Sequence, residues 1–198
     1  MKSNIEIVML GHKSQVGKDT LASFMTDYTR IAFADTIKNL ANMVFGISFE
    51  DMFNQEKKNT VLPKFGRTPR EILIKIGKDM RDIHPDVWCD FAFRQSIDPA
   101  KSGKYVVTDF RFKNEYNQAL KFAHQHKDIA DIEIIPIKIV RKNHNVEFSG
   151  KNDISEIDLD DFNMWQSVIF NDGEPKCMYD KFIKTKNACL SKEACFWF

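Results

Sequence analysis

Apolar positions along this chain follow two different periods. Short apolar runs at residues 4–10 (NIEIVML), 30–34 (RIAFA), 104–108 (KYVVT), 132–140 and 166–170 (QSVIF) are bounded by polar turns and read as buried strands. Between them apolar residues recur every three or four positions, the helical period. Residues 19–28 carry Leu21, Phe24, Met25 and Tyr28 on one stripe, and 35–46 carry Ile37, Leu40, Ala41, Val44 and Phe45, with Gly46 placed to end the helix. Residues 68–83 open with Thr68-Pro69-Arg70-Glu71, a cap, a first-turn proline and an acid that reaches back. Their stripe is Ile72, Leu73, Ile76, Met80 and Ile83, and 85–97 follow with Val87, Trp88, Phe91 and Ala92 inward. Residues 113–126 and 174–187 complete the helices. Residues 51–66, polar and containing Pro63 and Gly66, predict an exposed loop, and 142–153 lack a core pattern. Strands alternating with helices predict an α/β fold with a parallel sheet covered on both faces.

The first strand runs into a chemical motif. In EIVMLGHKSQVGKDTL (residues 6–21) the apolar run ends at Gly11, passes a polar turn, reaches Gly17-Lys18-Asp19-Thr20 and enters the first helix. Strand, glycine-bounded turn, lysine and helix start form the layout of a loop whose N–H groups hold phosphate oxygens, helped by the helix dipole. Gly11, His12, Gly17, Lys18, Asp19 and Thr20 are the expected nucleotide-binding positions, with Lys18 reaching the terminal phosphates. Two departures stand out. Five residues rather than four separate Gly11 from Gly17, and Asp19 holds the place where Ser or Thr usually ligates magnesium. Asp19, Thr20 and Asp109 are therefore the expected metal-side groups, acting largely through water and phosphate oxygens. The competing reading is a glycine turn that joins strand to helix and binds nothing.

A second motif follows the strand KYVVT. Asp109 lies at its carboxyl end, the rim where α/β sheets bind ligands, and Arg111 follows two residues on. Asp109 suits magnesium or an acceptor group, and Arg111 suits a phosphate; both could instead serve helix capping and ion pairing. Arg67 and Arg70 flank a predicted helix start, a favourable place for a second phosphate. Asp35 and Lys38 begin the helix after the second strand. Arg141 ends the fourth strand, where a mobile segment could bring it onto a transferring phosphoryl group.

Composition narrows the remaining choices. At 198 residues and 23.1 kDa one domain is expected. Lys and Arg number 29 against 28 acids, so no bulk charge draws the chain to nucleic acid or membrane. The four cysteines show no paired metal spacing and the five histidines form no ligand triad. No apolar run approaches membrane-spanning length, and a soluble cytoplasmic protein is expected. The terminal aromatics Phe196, Trp197 and Phe198 are expected to dock on the body or on a partner subunit, which would support a homodimer.

Taken together, the GKDT loop, IAFADTIKNLA, GRTPREILIKIGKDMRDIHPDVW, VVTDFRFKNE, ISEIDL and VIFNDG resemble blocks of the deoxynucleoside monophosphate kinases of tailed bacteriophages, in an order that covers the chain to about residue 185. The resemblance implies a P-loop kinase three-layer sandwich: a central parallel sheet flanked by helices, a monophosphate-binding helical insertion at 35–98, a lid at 142–156 and a tail at 188–198. It implies ATP and Mg2+, a nucleoside monophosphate acceptor, and catalysis by Lys18, Asp109, Arg111 and Arg141, with Asp35, Lys38, Arg67, Arg70 and Arg111 at the acceptor. Asn152 and Asp153 stand where relatives often carry a histidine, and Phe110 and Lys113 where a small aliphatic and a proline are expected. Two other readings remain: a P-loop kinase of another small phosphorylated metabolite, and a nucleotide-dependent switch that transfers nothing.

Overall fold

The computed structural model describes residues 1–141 and 153–193, with side chains to residue 187. The chain divides into two compact units: residues 1–31 with 98–198, and residues 32–97.

The first unit is built on five parallel strands, β1 (Ser3–Gly11), β2 (Thr29–Ile31), β3 (Gly103–Phe110), β4 (Ala130–Arg141) and β5 (Ser167–Asn171), in the spatial order β2-β3-β1-β4-β5. β1 is central, and its residues Ile7 to Leu10 are fully buried because both edges and both faces are covered. The alternation of the strands sends Val8 and Leu10 to one face, where they join Val106, Ile137, Ile139 and Ile169. Two helices cover this face: α1 (Lys18–Phe24) with Leu21, and α8 (Pro175–Glu193) with Met178 and Phe182. A third helix, α6 (Lys113–Gln125), packs on β4 and buries Tyr116, Ala119 and Phe122.

β3 carries an irregularity at its carboxyl end. Met9 pairs with Val107, but Gly11 pairs with Phe110, so the strand holds one residue more than a regular ladder. With unbroken register Asp109 would stand opposite Gly11. The bulge places Phe110 there and re-aims the acid. The Phe110 ring joins Phe162 and Trp165, centroids 5.5 Å away in each case. A Cβ on Gly11 would lie 2.6 Å from both the Phe110 and the Trp165 ring. Glycine is required at 11 because aromatic rings rest on its backbone.

The second unit is helical: α2 (Phe33–Phe45), α3 (Phe49–Phe53), α4 (Pro69–Ile83) and α5 (Val87–Ser96). α2 packs against α4 and α5, and the Phe33 and Phe93 rings meet edge-on at 5.9 Å. Inside, the Trp88 indole donates to the Gly77 carbonyl at 3.1 Å. The expected capping box forms: Thr68 Oγ accepts from the Glu71 N–H at 3.2 Å, and the Glu71 carboxylate accepts from the Thr68 N–H at 2.8 Å. Gly46 ends α2 with φ +68°.

Several sequence expectations need correction. The first helix stops at Phe24, not at Tyr28, because the Met25 N–H closes a tight turn onto Ala22 O and the chain must straighten into β2. Residues 51–66 are not simply a loop. Ser48 caps α3 by accepting from the Asp51 N–H at 3.1 Å, a 3-10 turn spans Lys57–Asn59, and Leu62 bridges to Arg67. The α5 stripe is rotated by one residue, burying Trp88, Cys89, Ala92 and Phe93 while Phe91 is exposed. Val44, Phe45 and Ile83 lie in the last turns of their helices and are exposed. The short helix α7 (Ile154–Ile157) was not anticipated. The expected lid falls mostly on residues 142–152, outside the described residues, as do the terminal aromatics.

Candidate phosphate site

The turn between β1 and α1 is an open loop of backbone held from several sides. Gly11 still belongs to β1, paired with Lys138 and Phe110. The chain leaves the strand at His12, whose φ is +92°, and Gly17 has φ +105°. Four residues separate His12 from Gly17, the usual loop spacing. The histidine thus takes the left-handed position that a first glycine ordinarily fills, and this accounts for the apparent extra residue. Gln15 also has a positive φ, +56°. His12 and Gln15, the two non-glycine residues among the three, mark a backbone held against its local preference by its surroundings.

Lys18 is the first residue of α1 and only 5 % exposed, unusual for an unshielded ammonium. Its Nζ donates to the carbonyls of His12, at 3.1 Å, and Lys13. Burial, and next the Arg111 guanidinium, lower its pKa to about 7, against the pull of Glu156, Asp109 and Asp19. The site holds two cations close enough to oppose each other, the electrostatic condition that a polyanionic ligand relieves. The sign for the unliganded protein follows. Between the folded pKa near 7 and the ordinary 10.5, the unfolded chain carries the proton and the folded one does not, so this group adds stability as pH rises through that window. His12 is pushed down to about 4, first by burial and then by Lys138 and Lys13, so its imidazole is neutral at pH 7. Its Nε2 stands 3.6 Å from Asp160, beyond hydrogen-bond length.

The other expected residues divide between the units. In the sheet-bearing unit, Arg111 follows β3, and its Nη1 donates to Glu156 Oε1. The Arg111 and Phe112 N–H groups donate to the buried Glu115 carboxylate at 2.7 and 3.1 Å, which fixes the turn after the strand. Asp109 is half-buried and acts on Lys18 through its charge. Asp19 and Thr20 are exposed on α1, with Asp19 Oδ1 3.7 Å from Arg30. Arg141 is exposed at the end of β4. In the helical unit, Lys38 Nζ donates to Asp35 at 2.9 Å and lies 4.2 Å from the Phe53 ring centroid. Arg70 Nε donates to Asn59 at 2.8 Å, and Arg67 is exposed beside the capped start of α4. The Glu71 carboxylate already occupies that helix end.

No family model matches the sequence, and no curated protein matches it. Solved structures do. A sugar kinase from a Janibacter species, in an unliganded crystal structure, is 12 % identical with a TM-score of 0.40, covering 94 % of this chain and 95 % of its own. A dephospho-CoA kinase from Campylobacter jejuni is 12 % identical with a TM-score of 0.36, covering 98 % and 100 %. Similarity at this level identifies neither a family nor a substrate.

Sequence reasoning missed three supports of the loop. Glu156 Oε2 accepts from the Ser14 N–H at 2.8 Å. Lys13 Nζ donates to the Glu156 carbonyl and to Asp160. Asn171 Nδ2, at the end of β5, donates to the Val16 carbonyl at 2.8 Å. The blocks ISEIDL and VIFNDG contain Glu156 and Asn171, but nothing local assigns them to residues about 150 positions earlier.

The donor set fits magnesium held mainly through phosphate and water. That ion keeps several waters and commonly takes only one or two protein carboxylates. Asp109 at the strand end and the acid of Asp19 at the helix start supply that number. Among the described residues no group of three or more His, Cys, Asp or Glu could hold a metal by itself. No helix among them is long and apolar enough to cross a membrane.

Proposed function

We propose that this protein transfers a phosphoryl group from ATP to a nucleoside or deoxynucleoside monophosphate. The observation that carries the reading is the loop 12–18 at the carboxyl end of the central strand, with buried Lys18 beside Arg111 and Asp109 of the neighbouring strand. Sheet rims of this kind, at a helix N-terminus, are where phosphates bind in α/β folds. The monophosphate acceptor rests on the sequence blocks that resemble those of the phage enzymes.

Phosphoryl transfer asks a protein mainly to align two phosphates and spread charge. In this reading the loop N–H groups and Lys18 hold the ATP phosphates, and Arg111 lies against the transferring group. Asp109 and Asp19 would hold magnesium, which would supply neutralising charge to the phosphates. Residues 32–97 take the acceptor, through Arg67, Arg70, Lys38 and Asp35, and Arg141 supplies a further cation to the transferring group.

Two measurements test this. A coupled assay of ADP release across all common ribo- and deoxyribonucleoside monophosphates should find at least one efficient acceptor. Turnover on a phosphorylated metabolite alone would reject the acceptor, and ATP binding without any transfer would favour a switch. The second measurement uses the lowered pKa of Lys18. Phosphate contact favours its charged form, so ATP binding at pH 8 should take up protons and weaken as pH rises above 7. Calorimetry at pH 8 in buffers of different ionisation enthalpy reads the uptake directly, and a buffer-independent heat would contradict it.

A further inference from the structure

Glu156 is a buried acid, 9 % exposed, that sits among the loop's donors without belonging to the loop. One carboxylate oxygen accepts from the Ser14 N–H and the other from Arg111. Its own carbonyl accepts from Lys13 Nζ. The segment that carries it is capped locally at its start and tied to the rest of the unit beyond Glu156. Asp153 accepts from the Ser155 N–H at 2.9 Å, and Asp158 accepts from the Lys113 N–H at 2.7 Å, next to the Arg111 turn. Asp160 takes Lys13 Nζ. Residues 153–160 therefore strap the phosphate loop to the turn after β3.

We propose that Glu156 is a positioning residue: a single carboxylate that fixes the middle of the phosphate loop and the Arg111 guanidinium relative to each other. The inference rests on the phosphoryl-transfer reading above. A buried carboxylate that satisfies an amide N–H and a guanidinium with separate oxygens holds both at a set spacing. The carboxylate also offsets the repulsion between Arg111 and Lys18, which would otherwise drive the guanidinium outward. A small misplacement of aligned groups lowers turnover even when the residue that caused it never meets the substrate.

The Glu156→Gln variant keeps the shape but gives one donor an amide instead of an oxygen. Its kcat should fall by up to about 10²-fold, while the KM for ATP stays within about twofold and the melt drops by roughly 2–12 °C. In the nucleotide-free protein, amide hydrogen exchange at Ser14 should accelerate. Glu156→Asp, one methylene shorter, cannot span both donors. It should show the same two changes in smaller degree and carries the test if the glutamine variant folds poorly. Unchanged kcat in a folded variant would overturn the proposal. So would tighter ATP binding at unchanged kcat, which would make Glu156 a resident competitor for the phosphate seat. A wild-type protein without transferase activity would defeat the functional reading instead. Unchanged Ser14 exchange overturns the positioning role whatever the activity.

Discussion

Replacing Lys18 by methionine should lower phosphoryl transfer by about 10²–10³-fold, the scale set by removing one preorganised charge-stabilising donor from an enclosed site. Methionine is the informative choice because the position is buried: an unbranched, flexible side chain fills the space that alanine would leave empty. The fold should survive. The ammonium is desolvated and its pKa is depressed to about 7, so its removal takes away an electrostatic burden as well as two hydrogen bonds to loop carbonyls. Steady-state kinetics together with a thermal melt check both halves. Near-normal turnover would take the loop out of the mechanism, and a collapsed melt would make the kinetic loss uninterpretable.

Replacing Gly17 by alanine should have a large effect on stability. Its φ of +105° is one that L side chains rarely adopt. The added Cβ would lie 2.6 Å from Asn171 Nδ2, the atom that donates to Val16, and 3.3 Å from Met178 Cε in the core. Strain and the lost support together should cost about 2 kcal/mol, and a chain of this size should then melt roughly 4–8 °C lower. Nucleotide affinity should fall as well, because the amides on either side of residue 17 turn with it. Differential scanning calorimetry with and without ATP reads both effects. An alanine variant that melts and binds like the parent would mean that the backbone here relaxes at no cost.

What was legible in the sequence was the part governed by local rules. The Thr68-Pro69-Arg70-Glu71 signal marks a helix start because its bonds span three residues, and Gly46 marks an end because its conformation is its own. Four of the five strands were readable as apolar runs; the expected second strand, 30–34, was only partly right, since β2 is Thr29–Ile31 and Phe33 already begins α2. Side-chain direction was less legible. On α5 the one-residue rotation that buries Phe93 in place of Phe91 depends on the Phe33 ring more than fifty positions away. At the loop, Gly11 looked like the hinge because it is a glycine. The hinge is His12, and Gly11 is small because Phe110 and Trp165 cover it, a contact created by a bulge with no sequence signature. Glu156 was invisible for the same reason. A lone acid in a short polar segment reads as solvated until its long-range partners are known.

The supports of the loop, Phe110, Glu156, Trp165, Asn171 and Met178, all lie in the sheet-bearing unit, while residues 32–97 enter as one uninterrupted insert between β2 and β3. Evolution can therefore treat the two as separate cassettes. On the proposed phosphoryl-transfer reading, drift within the insert would retune which molecule is accepted while the loop's supports in the other unit stay unchanged.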